Sequence, residues 1–226
     1  MAVADAEIVA AMVLIQMAYP GAPTYHSLMP GIMHPRTGGY LGTAWEGELL
    51  YAVGVELAHM WGVPTLAGIF GTDAQRPGWQ QAAESGSCLL LVALCGADTG
   101  SGMGLLEGCT VLHPEAILLD TDIYHRVRLD VAGFDTSPEA LALDVIKKVG
   151  PRGHFLRERH TRTHLRRRQY SNLTGQPAPD GGYRDPIEVA RETVRWILDN
   201  HHPEPLEPAQ RAELGRILQA AEHELG

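Results

Sequence analysis

The chain has 226 residues, 45% of them hydrophobic, and a formal net charge of -9 at pH 7. This length suits a single domain, and the negative charge gives no reason to expect nucleic acid as the main partner. The longest apolar run, residues 88–97, is too short to span a membrane. Acidic Asp5 and Glu7 near the N-terminus do not fit a signal peptide, so we expect a cytoplasmic protein. The three cysteines cannot all pair, which indicates a reducing compartment.

Helices and strands alternate through the first part of the chain. Apolar periodicity and the positions of Gly and Pro predict, in order, a helix over 4–18, a strand over 24–29, a long loop over 30–42, a helix over 44–61, a strand over 65–70, a helix over 78–95, a strand and loop over 96–106 and a helix over 114–132. In the second helix Leu49, Val53, Leu57 and Met60 share one face.

The remaining chain is predicted to be helical with one linker. A capping box at 136–139 starts a helix that ends at Val149, and a basic helix over 154–169 follows. Residues 172–184 read as a linker that leads to two amphipathic helices. Three visible strands are compatible with an open doubly wound sheet or with part of a (β/α) barrel.

Polar side chains stand at or just after the three strand ends. They are Tyr25, His26, Asp73 and Glu107. Each could simply be a capping or hydrogen-bonding residue, but together they form the convergent set expected at one mouth of a barrel. Thr72 adds a hydroxyl at the same strand end, and Gly102 allows a ligand or a neighbouring backbone to approach closely. Phe70, Trp79 and Tyr40 could supply aromatic walls.

Other motifs carry less weight. The Gly-rich segment 100–108 lacks the third glycine of the dinucleotide-binding fingerprint. His160 and His164 have the spacing of half a zinc site, but surrounding arginines would repel a cation, so we predict no metal. Residues 152–168 hold seven arginines and one acid, with Phe155 as the one Phe, Tyr or Trp among them. This pattern favours a face that docks an acidic partner or another part of the chain over nucleic-acid binding.

Several segments resemble the trimethylamine methyltransferase superfamily. They are Pro20-Gly-Ala-Pro-Thr-Tyr25, Arg36-Thr-Gly-Gly-Tyr40, Gly71-Thr-Asp-Ala-Gln75, the run from Leu141 to Leu156, and Arg159-His-Thr-x-x-His164. The resemblance is collinear over nearly the whole chain. It implies the C-terminal half of a (β/α)8 TIM barrel over residues 1–171, followed by a linker and extra C-terminal helices over 172–226 that pack on the barrel. The missing half would come from another polypeptide or from self-association.

The resemblance also implies a reaction. Family members transfer a methyl group from a methylamine to the Co(I) of a corrinoid on a separate protein, with no corrinoid bound covalently to the enzyme. No pyrrolysine is present, which places the chain nearer the branch that demethylates quaternary amines such as glycine betaine. In that reaction Asp73 and Glu107 would offset the positive charge, Phe70 and Tyr25 would form walls, and His26 or Arg36 would bind a substrate carboxylate. The alternative is a non-catalytic half-barrel subunit or truncated remnant that needs a partner chain.

Overall fold

The computed structural model of the protein describes residues 1–43, 45–167, 171 and 173–225. In this part of the chain, nine helices are present: α1 (Ala2–Ala18), α2 (Trp45–Trp61), α3 (Trp79–Leu94), α4 (Pro114–Ala132), α5 (Pro138–Leu141), α6 (Leu143–Val149), α7 (Arg159–Arg167), α8 (Pro186–Asn200) and α9 (Pro208–Leu225). The helix predicted over 114–132 is confirmed at both ends. Pro114 occupies its first position, and Gly133, with φ +66°, ends it.

The strands are shorter than predicted. Each named strand has two residues: β1 (Ile32–Met33), β2 (Tyr40–Leu41), β3 (Leu66–Ala67), β4 (Thr99–Gly100), β5 (Leu105–Leu106) and β6 (Val111–Leu112). β3 and β4 are parallel, and one further parallel bridge joins His26 to Thr65. The strand expected over 24–29 is thus a single bridge, and the loop expected over 30–42 contains the antiparallel pair β1–β2.

The predicted strand 65–70 ends early because its backbone turns away from β4. The N–H groups of Ile69 and Phe70 both donate to the Ser101 carbonyl, and Ile69 N–H also donates to the Ala67 carbonyl two residues back. These tight bonds replace the regular parallel ladder. Within the described residues, parallel pairing is limited to three extended segments, so the mixed helix and strand architecture fits the α/β class and the half-barrel stays a prediction.

The main core lies between α2, α3, α4 and the end of β3. Its buried members are Tyr51, Val55, Ala67, Ile69, Phe70, Cys88, Leu89, Val92 and Val127. The buried side of α2 includes Tyr51, Val55 and Ala58, which are three or four residues apart and therefore share one face of the helix. Leu49 and Met60, on the apolar face seen in the sequence, are 60% and 64% exposed. The helix therefore has two apolar stripes, and tertiary contacts cover the stripe that includes Tyr51.

A buried carboxylate joins α3, α4 and the loop after β4. Asp120 is fully buried; its two oxygens accept hydrogen bonds from Gln81 Nε2 at 2.9 Å and Gly104 N–H at 2.8 Å. Burial raises the pKa of Asp120, while the bonds from Gly104 and Gln81 oppose that rise. The carboxylate thereby fixes the position of the loop that follows β4.

The segment after α4 departs from the prediction. Ser137, and not Thr136, caps α5, since its Oγ accepts from Ala140 N–H at 3.2 Å. The helix expected up to Val149 is interrupted at Ala142, which adopts a left-handed conformation between α5 and α6. The basic helix begins at Arg159 instead of His154, and its predicted end at 168–169 lies outside the described residues.

The chain divides into two compact units, residues 1–191 and 192–226. In the first unit Val189 and Ala190, at the start of α8, pack with Leu173 against Leu118 and Leu119 of α4. The second unit contains the rest of α8 and α9, whose Arg216 forms an ion pair with Glu213. The predicted domain boundary at 171/172 stays a prediction. None of the described helices combines the length and the apolar character that crossing a membrane requires.

We expect Asp120→Ala to lower the free energy of unfolding by about 2–4 kcal/mol, because two buried donors lose their acceptor. Urea denaturation of the full chain, followed by circular dichroism, measures this change. Asp122→Ala, two residues further along α4, is the control and should change stability by less than about 0.5 kcal/mol. Equal losses in the two variants would show that the hydrogen bonds of Asp120 do not carry the effect.

Candidate functional site

The loops that follow β3 and β4 meet at the carboxyl edge of the parallel segments. Thr72 N–H donates to the Leu105 carbonyl at 3.2 Å, Glu107 N–H to Ala74 at 3.0 Å, and Gly108 N–H to Thr72 at 3.1 Å. These backbone bonds join residues 72–74 to residues 105–108. We call the two loops, together with the segment 40–43 before α2, the carboxyl edge. In α/β proteins this edge is the usual place for a functional site.

Asp73 connects the carboxyl edge to the entry of α2. Its Oδ1 accepts from Gly42 N–H at 2.9 Å and its Oδ2 from Thr43 N–H at 3.3 Å. A Cβ at position 42 would lie 3.0 Å from the Gly71 carbonyl oxygen, so glycine allows this close approach. Burial raises the pKa of Asp73, the two backbone bonds lower it, and the charge of Glu84 raises it further.

Glu84 on α3 is a part of the site that sequence reasoning missed. Its Oε2 accepts from Thr43 Oγ1 at 3.0 Å, from Asp73 N–H at 2.9 Å and from the Thr72 hydroxyl. A signal was available, since Glu84 is the one charged residue in the α3 sequence, Trp79–Leu94. A single carboxylate in an otherwise uncharged helix indicates a specific partner.

Glu107, Thr72 and Gly102 lie at the carboxyl edge with Asp73. Glu107 is exposed, with φ +51°, and the next residue, Gly108, would place a Cβ 3.7 Å from Asp73 Oδ1. Thr72 is fully buried, and its hydroxyl is used by Glu84 and by Ala74 N–H. Gly102 has φ +98° and packs on the backbone of Gly71, so its glycine serves a backbone contact. The backbone of Glu107 thus lies at the same edge as Asp73.

His26 and Tyr25 do not share this edge, and the expectation of one convergent set is wrong for them. His26 pairs with Thr65, at the start of the β3 segment, and therefore lies toward the amino end. It is 1% exposed, and its Nε2 lies 2.9 Å from Asp5 Oδ1, so a substrate carboxylate would have to displace Asp5. Tyr25, which precedes it, is 55% exposed. The substrate roles of both residues stay predictions.

Phe70 and Arg36 also differ from their expected settings. Phe70 is 2% exposed and belongs to the main core, so its ring is covered by protein. Arg36 is exposed in the turn between β1 and β2, where its N–H donates to His34 Nδ1 at 3.2 Å. Tyr40, at the end of this turn, has its backbone carbonyl beside Gly108. The β1–β2 turn is therefore attached to the carboxyl edge through Tyr40.

A phenol and a thiol complete the carboxyl edge. The Tyr40 hydroxyl donates to the Pro30 carbonyl at 3.3 Å, and burial raises its pKa. Cys109, which sequence reasoning did not place here, adopts φ +70° with its Sγ beside Gly71. Burial and the charge of Asp73 raise the pKa of this thiol. Both groups are therefore neutral at pH 7, and the charge at the edge comes from the carboxylates.

A cavity of about 620 Å³ lies away from these residues, between α3, β4 and α4. Its lining is mostly apolar, with Asp98, Tyr124 and Arg128 as the large polar members. None of the site residues predicted from the sequence lines it. Elsewhere, the rings of His160 and His164 stack with their centroids 3.9 Å apart. Among the described residues, no group of three His, Cys, Asp or Glu side chains is placed to hold a metal ion.

Comparisons with known proteins agree on one group of enzymes. The sequence model of trimethylamine methyltransferase (MTTB) matches residues 1–226. A trimethylamine methyltransferase of Desulfitobacterium hafniense (strain DSM 10664 / DCB-2) is 30% identical, over 98% of this chain and 46% of the relative. The glycine betaine methyltransferase of Desulfitobacterium hafniense (strain Y51) is 29% identical, over 98% of this chain and 47% of the relative. The chain thus spans about half the length of these curated relatives.

We expect the Asp73 carboxyl to titrate above the ordinary aspartate value of 3.8, because burial disfavours its charged form. On acidification from neutral pH, Asp73 should therefore lose its negative charge before an ordinary aspartate does. A carbon-13 NMR titration of the full chain measures the midpoint, and Asp73→Asn identifies the resonance by removing it. A midpoint at or below 3.8 would contradict the burial seen in the structure.

Proposed function

Because the chain belongs to the trimethylamine methyltransferase family, we propose that it forms part of an enzyme that takes a methyl group from a methylated or quaternary amine such as a betaine. The match over the whole chain carries this proposal. The proposed acceptor is the Co(I) of a corrinoid on a separate protein, which supplies the nucleophile. Tyr40 is 48% exposed and Glu107 is exposed, so a group presented by another protein can reach this edge.

Methyl transfer from a quaternary amine requires no general acid or general base. The bond between the methyl carbon and the nitrogen breaks, its electron pair stays on nitrogen, and a neutral tertiary amine leaves. A quaternary nitrogen needs no proton for this departure and has none to donate. The protein therefore has to orient the substrate and oppose its positive charge.

The carboxyl edge supports these two tasks. Asp73 is half-buried and held by two backbone N–H groups, while Glu107 lies on the adjoining loop. Asp73 places negative charge at this edge, with the half-exposed ring of Tyr40 beside it. Aromatic faces and carboxylates suit a quaternary ammonium group. Arg36, on the attached β1–β2 turn, is the proposed partner of a substrate carboxylate.

A second polypeptide segment forms the rest of the proposed enzyme, either as the part of the relatives that this chain does not match or as another copy of this chain. The chain spans about half of its curated relatives. No residue of α1 is buried, and Leu14 and Met17 on it are 65% and 75% exposed. α2 exposes a further apolar stripe with Leu49 and Met60. Apolar surface of this extent is typical of an interface.

The second candidate function is a non-catalytic half-barrel subunit or a truncated remnant. The same exposed helices favour it, as does the edge of β4 that no described residue pairs with, since these features would let the chain support a barrel whose chemistry lies in its partner. The two candidates differ in one respect. Catalysis requires that residues of the carboxyl edge affect methyl transfer, whereas a supporting role does not.

We expect glycine betaine to methylate cob(I)alamin when the full chain is combined with the half of the glycine betaine methyltransferase that it does not match. Absorbance of the cobalamin measures the transfer, and light scattering on a sizing column measures assembly. Asp73→Asn should slow transfer about ten- to a hundredfold, because it removes charge that opposes the ammonium group.

Asp122→Asn on α4 is the control and should leave the rate unchanged. Assembly and transfer that are unaffected by Asp73→Asn would exclude the catalytic role of this edge and favour the supporting subunit. Assembly without any transfer that depends on glycine betaine would exclude this amine.

A further inference from the structure

Glu84 holds together three separate pieces of the chain at the carboxyl edge. It belongs to α3, its Oε2 accepts from the Asp73 backbone after β3, and the same oxygen accepts from the Thr43 hydroxyl before α2. The Thr72 hydroxyl is its third donor. Thr43 and Thr72 are 3% and 0% exposed, so these bonds form largely out of contact with water. Charge-assisted bonds in such a setting are among the stronger ones in proteins.

The bonds of Glu84 and those of Asp73 form a closed network. Glu84 binds the backbone of Asp73 and the side chain of Thr43, and Asp73 in turn binds the backbone of Thr43. Both carboxylates therefore bind Thr43, Glu84 through its hydroxyl and Asp73 through its backbone N–H. Displacing Glu84 would release both the Asp73 backbone and the loop that the Asp73 carboxylate needs for its own position.

We propose that Glu84 is a positioning residue that fixes the Asp73 carboxylate against the entry of α2. Glu84 acts through Asp73 because its own oxygens are already used. Oε2 has three donors, and Oε1 accepts from Gln80 Nε2 at 2.7 Å. The relevance of this arrangement to an amine substrate rests on the proposed function, whereas the arrangement itself can be tested without any substrate.

The position of Glu84 also sets the charge near Asp73. The two carboxylates have the same sign, and the negative charge of Glu84 raises the pKa of Asp73. A glutamine at position 84 keeps one oxygen to accept from Asp73 N–H, Thr43 and Thr72. Its amide nitrogen would face Gln80, an exposed side chain whose own amide can rotate to present oxygen. Glutamine therefore removes the charge and retains the geometry.

The test compares Glu84→Leu and Glu84→Gln in the full chain by amide hydrogen exchange resolved by NMR. We expect Glu84→Leu to speed exchange of the Asp73 and Gly42 amides about tenfold or more, with the β3 amide of Leu66 unchanged. Glu84→Gln should retain the protection of both amides. The Asp73 titration should move to lower pH in Glu84→Gln, because the neighbouring negative charge is gone.

Glu48→Gln is the matched control. Glu48 on α2 accepts from Ser87 Oγ on α3 at 2.6 Å, so it forms a carboxylate–hydroxyl bond that involves neither Asp73 nor Thr43. It should change neither the Asp73 amide nor the Asp73 titration. Equal acceleration of all amides in Glu84→Leu would show a role in folding alone, and unchanged exchange at Asp73 would show no role. Either result overturns the proposal.

The positioning of Asp73 by Glu84 can be tested separately from the proposed methyl transfer. If Glu84→Leu does not fold, Glu84→Ala, which also removes the acceptor oxygens, replaces it: faster exchange confined to the Asp73 and Gly42 amides supports positioning, and unchanged exchange at Asp73 overturns it. Exchange and titration need neither an amine nor a corrinoid. Failure of methyl transfer from glycine betaine would therefore refute the proposed function and leave the positioning of Asp73 by Glu84 intact.

Discussion

Hydrogen bonds from backbone N–H groups to buried or half-buried carboxylates hold the carboxyl edge of this protein together. Asp73 binds the entry of α2, Glu84 binds the backbone of Asp73, and Asp120 binds Gly104 in the loop after β4. At the amino end the exposed Asp98 also accepts a backbone bond, from Thr65 N–H at 2.8 Å. The strands have two residues each, so the ladder itself supplies few bonds. Side-chain carboxylates supply the restraint that longer strands would otherwise give.

This construction has an electrostatic consequence. Removing a carboxylate from water disfavours its charged form, and burial raises the pKa of Asp73 and Asp120 accordingly. Backbone donors offset part of that cost, which is why both side chains are bonded to N–H groups. At Asp73 the nearby Glu84 adds a second negative charge. A cation bound at this edge would reduce the electrostatic repulsion between Asp73 and Glu84. The repulsion between these two carboxylates in the free protein would therefore favour binding of a positively charged ligand.

Local patterns in the sequence predict the helices up to α4 well and the contacts between them poorly. Pro114 and Gly133 mark α4 correctly because capping depends on neighbouring residues. The buried face of α2 does not follow from its sequence, since two stripes are apolar and the packing partners decide between them. The role of Glu84 depends on Thr43, 41 residues earlier, which no local pattern reports. Likewise, His26 is separated from Asp73 because it pairs with Thr65, at the start of the β3 segment. The sequence of one strand does not indicate which residue of the neighbouring strand it will pair with.

The exposed apolar surfaces of the chain and its carboxyl edge both concern how the proposed enzyme is assembled. α1 buries none of its residues, α2 exposes an apolar stripe, and β4 is paired in the described residues only with β3. In the proposed enzyme a second polypeptide segment covers these surfaces and closes the edge over its carboxylates. Charges act more strongly when water is excluded, because the local dielectric constant falls. The covering segment would therefore strengthen the field of Asp73, and this is one physical reason for catalysis to depend on assembly.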